Sequence, residues 1–168
     1  MMPAYTARKA TPEDAPVIAR IYNQGIEDRV ATFETERRAA EDIRAWFRPG
    51  VLVEVAETDG TGVVAFAAAF PYSARPCYAG ISEYSVYTAR EYRGRRAGRA
   101  ALEALMAAGE AAGLTKLTSR IFPENQASRA LMKALGFAEI GVHRRHGKLD
   151  GEWRDCVVVE LLMGEAAR

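Results

Sequence analysis

The chain is 168 residues long, 49% hydrophobic and 27% charged, with a formal net charge of +1. This length fits one domain over 1–168 with a sizeable core, and the near balance of charge gives no general pull towards nucleic acid or membrane. Cys77 and Cys156 fit no metal spacing, and the start Met1-Met2-Pro3-Ala4-Tyr5 carries no secretory signal, so a cytoplasmic protein with reduced thiols is expected.

Tyr5 to Lys9 reads as a short strand. Thr11-Pro12-Glu13-Asp14 then announces a helix, with Thr at the N-cap, Pro at the first position and acids in the first turn. Val17, Ile18, Ile21 and Tyr22 form its apolar stripe, and it fades near Gly25. Ile26 to Glu36 has no clean period and places Phe33 among polar residues, as a surface loop with one aromatic tucked inwards or as a substrate-facing loop. Ala39 to Phe47 is a second helix, ended by Arg48-Pro49-Gly50.

Val51 to Thr58 and Val63 to Phe70 are strands joined by Asp59-Gly60-Thr61-Gly62, a hairpin signal. The second run, though apolar, is far too short to span a bilayer. A strand from Ile81 to about Thr88 follows the break at Pro71 to Pro76. A helix continues to about Ala112 and stops at Gly113. Lys116 to Phe122 is a strand, and Pro123-Glu124-Asn125 opens a helix to Leu135, ended by Gly136. Phe137 to Val142 and Cys156 to Met163 are the last strands. The polar stretch His143 to Arg154 between them reads as a solvated loop in which His143 and His146 lack partners for a metal. The order predicts an α+β fold: a mixed sheet whose early strands pair antiparallel, one parallel pair joined by a helical crossover, and helices on both faces.

The most informative stretch runs from Ile81 to Leu102. A strand leads into an arginine-rich turn, Tyr92 to Arg99, and then into a helix of strong helix formers. A helix N-terminus offers unpaired N–H groups to an anion, and Arg95, Arg96 and Arg99 add charge. Gly98, between Ala97 and Arg99, leaves room for a pyrophosphate to approach the backbone. The plainer alternative is a helix start with exposed arginines. Neither the dinucleotide fingerprint nor the P-loop pattern is present.

Arg95-Arg96-Ala97-Gly98-Arg99-Ala100 fits Arg/Gln-x-x-Gly-x-Gly/Ala and resembles the acetyl-CoA pyrophosphate loop of the GNAT superfamily of N-acetyltransferases. A second block, Asn125 to Phe137, fits N-x-x-S-x-x-L-x-x-x-L-G-F and resembles the superfamily's other cofactor block, where Asn125 and Ser128 would meet the pantetheine arm. The runs Ala31 to Glu36, Ser73 to Tyr78, Ser82 to Tyr87 and Gly151 to Asp155 resemble phosphinothricin acetyltransferases. Ile21 to Thr35 resembles the arsinothricin N-acetyltransferases. This likeness extends from Thr6 to about Met163.

The resemblance implies acetyl transfer from acetyl-CoA to the α-amine of a small glutamate-like amino acid, with no metal and a homodimeric assembly. Glu83 would be the general base, and Val86 and Tyr87 would offer backbone groups to the oxyanion and pantetheine. Arg75 would fork around a substrate anion, Phe33 and Tyr78 would wall its methylenes, and Thr32 and Glu27 are further candidates. Met132 stands where many relatives place a proton-donating tyrosine, leaving the general acid unassigned. Trp153 and Asp155 belong to the substrate side or to a dimer contact. Rival readings are acetylation of methionine sulfoximine or a plain amino acid, acetylation of a protein N-terminus, and a module gripping nucleic-acid phosphates through Arg90, Arg93, Arg95, Arg96 and Arg99.

Overall fold

The computed structural model describes residues 2–168. Its elements are β1 (Thr6–Lys9), α1 (Ala15–Asp28), α2 (Ala40–Arg44), β2 (Leu52–Thr58), β3 (Gly62–Pro71), β4 (Ile81–Thr88), α3 (Ala97–Ala111), β5 (Lys116–Ile121), α4 (Gln126–Ala134), β6 (Ala138–Leu149) and β7 (Glu152–Leu162). Seven strands form one sheet in the order β1-β2-β3-β4-β5-β7-β6. Every neighbouring pair is antiparallel except β4 and β5. These two are joined through α3, as a parallel crossover requires. No helix among the described residues is long and apolar enough to cross a membrane.

Strand alternation assigns the two faces. Phe66 and Tyr87, paired across β3 and β4, stack with ring centroids 5.5 Å apart and meet Tyr22 of α1. Trp46, just past α2, packs on Phe66 and Phe70. Val86 lies on the opposite face, against α3, and Tyr84 beside it packs under α4 through Met132. Ile18, Ile21, Phe66, Leu102, Leu105 and Leu117 are fully buried between these layers. Each such side chain contributes about 1.5–3 kcal/mol of transfer free energy.

Three boundaries differ from the sequence reading. α2, expected to reach Phe47, ends at Arg44. α1 passes through Gly25 and ends at Asp28. Gly25 permits close approach: a Cβ there would lie 2.7 Å from the Tyr87 ring. The expected loop His143 to Arg154 is instead the body of the β6–β7 hairpin, turned at Asp150 and Gly151, both at positive φ. β6 is an edge strand exposed along most of its length, so no alternating apolar pattern marks it.

Candidate active site

β4 and β5 pair only over Ile81–Glu83 and Lys116–Thr118. Beyond Glu83 the strands part, and a cavity of about 560 Å³ opens between them. The β4 residues Tyr84 to Thr88, β5 residues with Phe122, the start of α3 and the inner side of α4 line it. The Ile81 carbonyl accepts from Tyr72 N–H, and Ala89 N–H donates to the Val64 carbonyl, so odd-numbered residues of β4 turn their backbone to β3. Even-numbered residues face the gap. The Tyr84 carbonyl there accepts from Ser119 Oγ at 2.9 Å. Val86 therefore presents N–H and C=O to the cavity, beyond the end of the β5 ladder. Tyr87, expected to share that role, directs its backbone to β3, though it is among the residues lining the cavity.

The far end of the cavity meets the N-terminus of α3. Arg96 is the helix cap at φ +68 and Gly94 has φ +73. A left-handed non-glycine residue costs of order 1–3 kcal/mol, strain of the kind that clusters at functional sites. The N–H groups of Gly94 to Arg99 make no backbone hydrogen bond among the described residues. They form a concavity with the character of an anion site. Arg90 and Arg93 are held by Asp28, and Arg99 by Glu103. Arg95, stacked over Tyr92, and Arg96 have no ion pair among the described residues. Ala97 is buried and Ala100 is half-buried on the first turn. Gly98 acts differently from expectation. Its missing Cβ would point at β4, 2.7 Å from Thr88 Oγ1 and 3.6 Å from Val86 Cγ2, so its bareness lets the helix start approach the strand.

On the α4 side, Asn125 Oδ1 caps the helix by accepting from Ser128 N–H at 3.2 Å, and its amide nitrogen donates to the Val30 carbonyl at 3.4 Å. Both residues line the cavity. Met132 accepts from the Tyr84 hydroxyl at 2.6 Å. Burial pushes that phenol well above the usual tyrosine range, so it stays protonated.

Glu83 sits at the last paired position of β4, where the strands begin to part. Its carboxylate is salt-bridged to Arg120 of β5, and Arg120 Nη1 also meets Nε2 of His146 at 3.1 Å. Arg120 is among the residues lining the cavity, and Glu83 is not. The sequence reading missed both Arg120 and His146. They are 37 and 63 positions from Glu83; the lateral order β4-β5-β7-β6 brings Arg120 to Glu83, and His146 to Arg120.

Residues 18–137 match the model of the acetyltransferase (GNAT) family. The chain belongs to the GNAT acetyltransferase family. It is 33% identical over 166 residues to the phosphinothricin N-acetyltransferase of Alcaligenes faecalis, covering 94% of this chain and 82% of that one. It is 29% identical over 158 residues to the L-methionine sulfoximine/L-methionine sulfone acetyltransferase of Pseudomonas paraeruginosa, covering 92% of each. A crystal structure of a GNAT superfamily phosphinothricin acetyltransferase from Sinorhizobium meliloti in complex with AcCoA superposes with a TM-score of 0.88. It is 28% identical, and the match covers 96% of this chain and 89% of that one.

In this GNAT enzyme the remaining expected substrate residues lie outside the cavity lining. Arg75 stacks over Tyr78 at 5.6 Å, and Tyr78 meets Tyr72 edge-on, in the exposed β3–β4 connection. Phe33 packs edge-on against Phe122 with ring centroids 5.1 Å apart. It also abuts Gly147, where a Cβ would lie 2.9 Å from the ring. Thr32 accepts from Glu34 N–H at 3.1 Å. Glu27 is exposed on α1, paired with Arg37 and Arg90. His143 and His146 stack at 4.4 Å, and no metal-holding cluster occurs among the described residues. Asp155 accepts from Arg145 N–H, and Trp153 is exposed with Lys148 over its ring.

Proposed function

We propose that this enzyme uses acetyl-CoA to acetylate the α-amino group of a small glutamate-like amino acid, in the class of phosphinothricin, methionine sulfoximine and arsinothricin, and so confers resistance to it. The observation that carries the reading is the gap between β4 and β5, with an anion-type concavity at one end and Glu83 at the other. The named activities of its relatives support the substrate class.

Acetyl-CoA supplies an activated acetyl thioester. The free N–H groups of Gly94 to Arg99, with Arg95 and Arg96, hold its pyrophosphate, and the Val86 backbone and Asn125 align the pantetheine arm. Amino-acid amines are mostly protonated at pH 7, and Glu83 takes the proton that must leave before attack. Val86 N–H donates to the negative charge that develops on the acetyl oxygen. Met132 cannot donate a proton, and the Tyr84 phenol is too weak an acid to do so. A free thiol has a pKa of about 8.5, so the thiolate leaves unaided.

Exposed apolar side chains Ile140, Val142, Trp153 and Leu162 on the β6–β7 hairpin support pairing of two chains. Thiol release from acetyl-CoA, followed for phosphinothricin, arsinothricin, methionine sulfoximine, common amino acids and an N-terminal peptide, tests the activity. Turnover confined to the peptide would replace this reading with protein N-terminal acetylation.

A further inference from the structure

We infer that Arg120 is the receptor for the substrate's α-carboxylate, and that the Glu83–Arg120 ion pair is the template on which an α-amino acid is read. The inference rests on the proposed acetyl transfer to an amine at Glu83 and names the group that selects the substrate. An α-amino acid carries its ammonium and carboxylate on one carbon. Receptors for the two must therefore be oppositely charged and adjacent. Glu83 and Arg120 are in direct contact at the mouth of the gap, and Arg120 lines the cavity in which the acetyl group is to be met.

The pair is open to exchange. The Glu83 and Arg120 side chains are 39% and 46% exposed, and an ion pair so solvated is worth little. A zwitterion entering between them gives its ammonium to Glu83 and its carboxylate to the guanidinium, so both charges keep a partner. A simple amine satisfies Glu83 alone and leaves Arg120 without one. A planar guanidinium suits a carboxylate bidentately. His146, 3.1 Å from Nη1, fixes the other edge of the fork. Arg75 is left to the more distant side-chain anion, since it lies on the exposed β3–β4 connection.

The test compares L-phosphinothricin and L-methionine sulfoximine with their α-carboxamides. It uses kcat/KM and titration calorimetry on the complex with CoA, for the parent and for Arg120→Ala and Arg120→Lys. The parent should prefer the carboxylates by about 10–100-fold, the range of one charge-assisted contact. That preference should collapse towards unity in Arg120→Ala and return in part in Arg120→Lys. Thermal melting confirms that each variant is folded. A carboxylate preference that survives in folded Arg120→Ala overturns the inference, as does its absence in the parent. Preferential binding of the carboxylates without any turnover would sink the proposed activity and leave the recognition standing.

Discussion

Gly98 is the position at which packing and cofactor binding are most tightly joined. A Cβ there would lie 2.7 Å from Thr88 Oγ1, where ordinary contact begins at 3.4 Å, so Gly98→Ala forces a shift of about 0.7 Å, shared between rotation of the Thr88 side chain and separation of helix start and strand. Such overpacking costs about 1–3 kcal/mol, and in a chain of this size each kcal/mol lowers Tm by roughly 2–4 °C. The same displacement carries the N–H groups of Ala97 to Arg99 away from the concavity they help to form. Charge-assisted hydrogen bonds to an anion contribute about 1.5–3 kcal/mol each, so loosening one raises the Kd for acetyl-CoA about tenfold or more. Calorimetric titration with CoA and thermal melting measure the two effects. Thr88→Ala removes the obstructing hydroxyl, and in the double variant both effects should largely disappear. Unchanged affinity and Tm in Gly98→Ala, or no recovery with Thr88→Ala, would refute the account of this glycine.

Arg75→Ala should lower kcat/KM for phosphinothricin or arsinothricin by about 10–100-fold and spare methionine sulfoximine, if Arg75 holds the side-chain anion; an equal loss for all three would assign it the α-carboxylate, and no loss for any would return it to an ordinary surface residue. Burial in β2 raises the Glu54 carboxyl above its usual range, opposed by the charge of Lys9, so its contribution to stability is fully present below the unfolded pKa and is lost as pH rises through the folded one. Glu54→Gln should therefore raise Tm relative to the parent at pH 8 and not at pH 4, and an equal change at both would contradict this. Asp14 is held low by Arg8, at 2.8 and 2.9 Å, and by the Thr11 N–H at 2.9 Å, so its contribution is present above the unfolded pKa and is lost as pH falls through the folded one. Asp14→Ala should lower stability by about 1–3 kcal/mol at pH 7 in urea melts, with a gap to the parent that narrows in acid; a gap independent of pH would rule the linkage out.

Local signals carried much of this architecture. Thr11-Pro12-Glu13-Asp14 marks the start of the first helical segment because capping chemistry lies within four adjacent residues. The Arg95–Ala100 turn and the Asn125 cap are likewise local, and the structure brings both to one cavity. Where contacts between distant segments decided the outcome, the sequence was silent or misleading. Gly25 reads as a stop, yet it is a passage for the Tyr87 ring from another layer. β6 is an edge strand in solvent, so its residues show no apolar period. The Asp150-Gly151 pair was nevertheless a usable turn signal. Arg120 and His146 could not be linked to Glu83 before the order of strands was known.

The central claim is that Glu83 takes the proton from the attacking amine. The direct measurement is the pH dependence of kcat for Glu83→Gln with acetyl-CoA and phosphinothricin, beside the parent enzyme. The expected result is a loss of about 10²–10⁴-fold at neutral pH that shrinks as pH rises, because more of the amine is then already neutral. A variant with the parent's kcat and an unchanged pH profile would contradict it and place the base elsewhere.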